Sequence, residues 1–336
     1  MKAVILAAGK GSRLGPIGSL TSKAALPLLG KPLVTRVYES LAHLVDTTIL
    51  VLNPADEHLR ELLSSPPWQG SNLRIVAQEK PLGSGDALRA AWPLIDDGCI
   101  VTGCDNLMSP IYLERFVEHF SRERLDALVG VTTFKADDVL PSSVVALDEM
   151  GMIQQIIEKP TASQLISDKT ALPIYAFRSP FGSYLAELEP SERSEYEIPQ
   201  AIQNLIDQGG VVAAKLAHGR ITINNPREYL MAVRQILLEL GHVQIERGAD
   251  AAQEAVIRPP TYIERGAKVQ GGARVGPGVY VMSGAWIQRG AVVEDAIVFR
   301  DAIVGQDEAV CGKIVLPTKI IDPQRSGDNH GRVRRP

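Results

Sequence analysis

The chain has 336 residues, enough for one large domain and a smaller one, each able to bury a core. Its 35 Lys and Arg stand against 39 Asp and Glu, a formal charge of −4, so no global field draws it to nucleic acid or to an anionic membrane. Any anionic ligand must therefore be held by local groups. Cys99, Cys104 and Cys311 are too few and too scattered for a disulfide framework or a metal cluster, and reduced thiols fit a cytoplasmic protein.

The opening Lys2-Ala3-Val4-Ile5-Leu6-Ala7-Ala8 reads as a first β-strand over 2–8 rather than as a leader, because the apolar run stops at Gly9-Lys10-Gly11. Further strands are predicted at 48–52, 73–77, 98–102 and 127–133. Between them, apolar spacing predicts helices at about 32–44, 56–64, 84–93 and 110–120, with Pro32, Asp56 and Ser109 as start signals. This alternation predicts a doubly wound, Rossmann-like α/β domain. The runs 144–147 and 153–157 flank a turn at Glu149-Met150-Gly151 and predict a hairpin beside the main sheet. Helical patterns return at 180–188, 197–207 and 226–240, closing a first domain over 1–241. No stretch approaches the ~18 apolar residues needed to span a bilayer.

After Gly241 the period changes. Apolar residues recur every six positions at Ile257, Ile263, Val269, Val275, Val281, Ile287, Val293 and Phe299, then, after one five-residue step, at Val304, Val310 and Leu316. Such hexapeptide repeats predict a left-handed parallel β-helix over 242–322, each repeat giving one short strand with its apolar residue pointing inward. Gly266, Gly272, Gly278, Gly284 and Gly290 keep the same period and suit its corners. The segment 323–336 is polar, basic and aperiodic, and reads as a flexible tail.

Leu6-Ala7-Ala8-Gly9-Lys10-Gly11-Ser12-Arg13-Leu14 follows the first strand directly. Its glycines let backbone N–H groups approach phosphate oxygens, and Arg13 adds a forked cation. It lacks the third glycine of a dinucleotide fingerprint and the Gly-Lys-Ser/Thr ending of a Walker loop. Asp105, after the apolar strand, lies at the carboxyl end of the predicted sheet, where a hard carboxylate suits Mg²⁺.

Together with Ser22-Lys23-Ala24-Ala25-Leu26-Pro27-Leu28-Leu29-Gly30-Lys31-Pro32-Leu33, this loop resembles the signature of the sugar-1-phosphate nucleotidylyltransferases. The resemblance continues through Gln78 to Ala87, Asp105-Asn106, Glu158-Lys159-Pro160 and the β-helix. It implies a Mg²⁺-dependent enzyme that joins a nucleoside triphosphate to a sugar 1-phosphate and releases pyrophosphate, with UTP or dTTP favoured and GTP or another triphosphate as alternative. It makes Leu6, Ala8, Gly9, Gly11, Ser12, Arg13, Gln78, Gly83, Ser84 and Asp105 nucleotide contacts, with Arg13, Lys23 and Asp105 catalytic. Glu158, Lys159 and Asn106 would meet the sugar phosphate. Asp105 would hold the metal with Asn224, Asn225 being the reserve, because the thymidylyltransferases' Trp-x-Asp-x-Gly-Thr here reads Arg220-Ile221-Thr222-Ile223-Asn224-Asn225. The family's Asn/Thr-Gly-Ile-Tyr becomes Ala171-Leu172-Pro173-Ile174-Tyr175, so N-acetyl-sugar recognition is not carried over. The repeats from 257 to 316 contain no histidine, the commonest general base for acyl transfer, so the β-helix is expected to serve homo-oligomeric assembly or regulation. A bifunctional nucleotidyl- and acetyltransferase, or a non-catalytic nucleotide-sugar-binding subunit, are the competing readings.

Overall fold

The computed structural model describes residues 1–9, 11–64, 68, 72–134 and 142–324. The expected tail thus lies, from residue 325, outside the described residues. Two compact units form. The first comprises the first nine residues, Ser22–Ala25 and the described parts of Leu33–Ile221; the second takes Gly11–Thr21, Leu26–Pro32 and the chain from Thr222 onward.

The first unit has strands β1 (Lys2–Ala7), β2 (Thr47–Leu52), β3 (Leu73–Ala77), β4 (Gly98–Gly103), β5 (Ala127–Thr133), β6 (Ser143–Leu147), β7 (Ile153–Glu158), β8 (Lys169–Arg178) and β9 (Val212–Leu216). Its helices are α1 (Leu33–Leu41), α2 (Glu57–Leu63), α3 (Ser84–Ala91), α4 (Pro110–Arg122), α5 (Phe181–Ala186) and α6 (Ile198–Asp207). Seven strands make one sheet in the order β9-β5-β8-β4-β1-β2-β3, with helices packed on both faces around two apolar cores. Two of the start signals act as predicted: Asp56 accepts from Leu59 N–H at 3.0 Å and Ser109 from Tyr112 N–H at 3.4 Å. Helix α1 stops three residues early, where Leu44 N–H closes onto Leu41 O in a tighter turn. Helix α3 gives way to a 3₁₀ turn at Trp92–Leu94, because Pro93 has no N–H to continue the ladder. The predicted hairpin forms as the antiparallel pair β6–β7.

The sheet is not wholly parallel. Strand β8 runs antiparallel to both its neighbours, β4 and β5. Against β5 its register breaks: Ala171 faces Val131 while Tyr175 faces Val129. Pro173 sits inside this bulge, where a residue without an N–H interrupts the ladder at least cost.

In the second unit, α7 (Pro226–Leu240) precedes the repeats. Its start is a capping arrangement: Asn225 accepts from Glu228 N–H at 2.9 Å, and Glu228 in turn accepts from Asn224 N–H at 2.8 Å. The repeats fold as β10 (Val243–Ile245), β11 (Asp250–Ala251), β12 (Val256–Ile257), β13 (Thr261–Ile263), β14 (Lys268–Val269), β15 (Arg274–Val275), β16 (Val279–Val281), β17 (Trp286–Ile287), β18 (Val292–Glu294), β19 (Ile297–Val298), β20 (Ile303–Val304), β21 (Ala309–Cys311), β22 (Ile314–Val315) and β23 (Ile320–Ile321). Every third strand stacks on the one before, giving three sheets of parallel strands, the organisation of a β-helix. The corner glycines at 266, 272, 278, 284 and 290 all take left-handed φ. Only β23 turns back, pairing antiparallel with β22.

The coil length drops from 18 to 17 residues partway along: Ile263 pairs with Val281, but Val281 pairs with Val298. Five-residue steps therefore fall between Val293 and Val298 and again between Val310 and Val315, rather than once after Phe299 as predicted. Val298 and Val315 hold the in-register positions assigned to Phe299 and Leu316, which are buried one residue beyond their strands. Two adjacent apolar residues satisfy the sequence period equally, and only strand pairing distinguishes them.

The inward and outward positions predict a contrast in stability. Ile287→Ala, inside the coil and fully buried, is expected to lower unfolding free energy by about 2–4 kcal/mol. Ile303→Ala, 42% exposed, should stay within about 0.5 kcal/mol of wild type, both read from urea midpoints.

Candidate active site

In the first unit, β1 and β4 are adjacent parallel strands, so their carboxyl ends lie side by side. Cys104 N–H donates to Leu6 O at 3.0 Å and ties those ends together. Leu6 is half-buried, Ala8 is buried and Gly9 is exposed. Directly after β4, Asp105 pairs with the Lys23 ammonium through Oδ2. The side chains are only 19% and 14% exposed, so each supplies the counter-charge that the other lost on leaving water. A Cβ at Gly103 would stand 2.6 Å from Asp105 Oδ1, so glycine is what lets this carboxylate fold back. Asn106 is buried, and its amide donates to Thr102 Oγ1 at 3.1 Å and to Pro173 O at 3.3 Å. One N–H thus serves the end of β4 and the other the bulge of β8. Among the described residues its buried carboxamide oxygen has no hydrogen-bond partner.

Gln78 follows β3 and is 6% exposed. Its amide N–H groups are committed to Gly83 O at 3.1 Å and Asp86 Oδ2 at 2.8 Å. Gly83 caps α3 with φ of 104°, and a Cβ there would lie 2.3 Å from Tyr196 O. Two backbone bonds lock this approach, from Tyr196 N–H to Leu82 O at 2.7 Å and from Gly85 N–H to Tyr196 O at 2.8 Å. Ser84 Oγ accepts from Ile198 N–H at 3.2 Å and so caps α6.

Glu158 ends β7, and Lys159 follows with a left-handed φ of 47°. Lys159 Nζ binds Glu195 at 2.9 Å and also Glu197. Burial, reinforced by Glu197, pushes the Glu158 carboxyl up to about 8. Burial works against the Lys159 ammonium, but its bonds to Glu197 and Glu195 outweigh that and raise its pKa. Its bond to Lys159 in turn holds Glu195 below the usual carboxylate range. Gly103, Asp86, Glu195 and Glu197 were not singled out in the sequence. The alternation Glu195-Tyr196-Glu197 ahead of the Ile198-Pro199 helix start was the available signal for the last two.

In the second unit, Gly11 takes a left-handed conformation and starts the 3₁₀ segment Ser12–Ser19. Ser12 and Arg13 are exposed. Arg13 Nη2 lies 3.5 Å from Asn224 Oδ1. The Asn224 amide donates to Thr222 Oγ1 at 3.2 Å and Glu228 Oε2 at 3.0 Å, which orients its carboxamide oxygen. Asn225 spends its oxygen on the helix cap.

Among the described residues no group of three or more His, Cys, Asp or Glu could hold a metal ion, which rules out an all-protein cage there. One hard carboxylate beside substrate phosphates is, however, the usual provision for Mg²⁺, and Asp105 fits it. No helix among the described residues is long and apolar enough to cross a membrane.

The nucleotidyl transferase family model matches residues 2–231, more than half of the chain. The chain belongs to the nucleotidyl transferase family. Similar members are the bifunctional protein GlmU of Methanococcus maripaludis, 29% identical over 264 residues, 74% of this chain and 61% of that protein. A glucose-1-phosphate thymidylyltransferase of Streptomyces griseus is 27% identical over 80% of this chain and 79% of its own length. The chain thus spans about three-fifths of the GlmU relatives it matches. Among solved structures, a putative glucose-1-phosphate thymidylyltransferase from Bacillus anthracis aligns with a TM-score of 0.60 and 27% identity, over 69% of this chain and 94% of that one. UDP-glucose pyrophosphorylase complexed with UDP-glucose shares the fold, with a TM-score of 0.64 at 20% identity over 71% of this chain and 98% of that one.

For this family member, the raised Glu158 pKa predicts a pH signature. The carboxyl keeps its proton in the folded chain up to about 8 but loses it near 4.5 when unfolded, so its contribution is complete below the lower value. Wild type should therefore lose stability relative to Glu158→Gln as pH rises from about 5 to about 8. Thermal melts of both proteins across that range check it; a constant difference would contradict it.

Proposed function

We propose that this chain transfers a nucleotidyl group from a nucleoside triphosphate to a sugar 1-phosphate, giving a nucleotide sugar and pyrophosphate. The observation that carries the reading is the paired Lys23 and Asp105 at the adjoining ends of β1 and β4. Ligands of open α/β sheets bind outside the carboxyl ends of the strands. An incoming triphosphate would take over Lys23, which then neutralises charge building on the α-phosphate as the sugar-phosphate oxygen attacks in line. Phosphoryl-type transfer asks little of a protein beyond such positioning and charge stabilisation. Arg13 meets the departing β- and γ-phosphates. Asp105 offers an oxygen that would hold Mg²⁺, which when bound would neutralise phosphate charge, and the family resemblance alone suggests Asn224 as a second ligand.

The donor is read as UTP or dTTP. With both Gln78 N–H groups committed, its carboxamide oxygen is the atom left to read a base. It would accept from the imino N–H of uracil or thymine, which adenine and cytosine lack. Guanine also offers such an N–H, which keeps GTP as the alternative. Glu158 would bind sugar hydroxyls and Lys159 the sugar phosphate, with a hexose 1-phosphate as the acceptor class. The protein acts in the cytoplasm as a homo-oligomer, and its histidine-free repeats carry no acetyl transfer.

Pyrophosphate release over four nucleoside triphosphates and a panel of sugar 1-phosphates tests the reading; binding without turnover would indicate a nucleotide-sugar sensor instead. Lys23→Ala and Asp105→Asn should each reduce kcat/KM by roughly 100-fold or more while remaining folded. Near-native turnover in both variants, or wild-type turnover untouched by a chelator, would overturn the mechanism.

A further inference from the structure

The signature stretch contains a strained turn. Leu28 pairs with Lys31, and the two residues between them, Leu29 and Gly30, both have positive φ, 46° and 74°. This is the two-residue hairpin connection for which Asn-Gly is preferred, and leucine is a poor occupant of its first position. A branched side chain held in the left-handed region persists only where its surroundings over-determine it.

Those surroundings belong to the β-helix. Gly30 N–H donates to Tyr280 Oη at 3.1 Å. A Cβ on Gly30 would lie 2.6 Å from Tyr262 Oη and 3.1 Å from Glu246 Oε1, so the turn rests directly on that second tyrosine. The two rings meet edge to face, 5.8 Å between centroids. Each hydroxyl is fixed by a carboxylate one coil earlier: Tyr262 donates to Glu246 at 2.5 Å, and Tyr280 to Glu264. Each carboxylate also accepts a backbone N–H, from Arg265 at 3.0 Å and Ser283 at 2.8 Å. From α7, Tyr229 reaches the other end of the hairpin and donates to Pro27 O at 2.5 Å.

This polar construction is local. The stacked column that holds Tyr262 and Tyr280 continues as Ile297 and Ile314, and Met282 stands one coil beyond Glu264. Glu264 is 9% exposed and Tyr280 fully buried, an expensive arrangement where the following coil stacks aliphatics instead.

We propose that Tyr280 and Glu264 are positioning residues for nucleotidyl transfer: they hold the Leu29–Gly30 turn, and through the short chain leading back to Ala25 they fix the segment that carries Lys23. The β-helix then contributes to turnover itself, beyond assembly. This rests on the nucleotidyl-transfer reading for its kinetic part only.

The test uses the full chain with Tyr280→Phe and Glu264→Gln, and a melting curve to establish folding. Deuterium exchange of the peptide spanning 26–32 should accelerate in both variants, because the Gly30 N–H loses its acceptor or that acceptor loses its anchor. With the preferred triphosphate, kcat should fall about tenfold while KM changes less than about twofold. In a Lys23→Ala background, Tyr280→Phe should have little further effect, since both act through one group. Unchanged exchange in both folded variants would overturn the proposal, as would losses that multiply in full with that of Lys23→Ala. If wild type turns over no triphosphate, the nucleotidyl-transfer reading fails by itself, and exchange still decides whether the turn is clamped.

Discussion

A cation and a carboxylate, each largely removed from water, face one another where β1 and β4 end. Each offsets part of the cost of taking the other out of water. Much of the surrounding unit serves this pair. The parallel β1–β4 register brings the two loops together, the Cys104–Leu6 bond fixes their spacing, and Gly103 gives the carboxylate room. Lys23 and Asp105 also answer each other's charge in a way that suits exchange. A phosphate can replace the carboxylate for Lys23, and a hard cation can replace the ammonium for Asp105. On the proposed reading, the site would therefore take up an anion together with its counter-cation, the form in which a nucleoside triphosphate exists in the cell.

The cluster around Lys159 is balanced differently. One ammonium serves Glu195 and Glu197, and Glu158 relieves the excess by staying protonated near neutrality. A neutral carboxyl can donate as well as accept, which matches the mixed donors and acceptors of a sugar ring. On the proposed reading, the two clusters would divide the work between charge and hydrogen-bond pattern.

Periodic features were legible in the sequence because they are local. The apolar runs of β1 to β5 and the six-residue repeat each report which side of an element is buried, and the structure places strands where those runs lie. Strand direction was not legible: β8 is as apolar as its neighbours, and alternation carries no sign. The step between Val293 and Val298 was misplaced because Val298 and Phe299 are both apolar. The partners of Lys159 and of Gly30 come from 36 to 250 residues away, and such contacts leave no mark on either segment alone. Of the candidate site, the sequence offered the groups that carry charge; the glycine, the carboxylates and the tyrosines that hold those groups in place emerged from the fold.

The last strand of the repeats has a consequence for how copies of this chain can meet. A stack of parallel coils that simply stopped would leave a row of unpaired amide and carbonyl groups, a template on which another molecule could add its own strands and extend the stack without limit. Strand β23 turns back across β22 and occupies that row with the wrong polarity for a further coil. Joining at that end would require β23 to be peeled away first. Extension is thereby opposed along the edge of that one sheet, while the other two sheets end at β20 and β21.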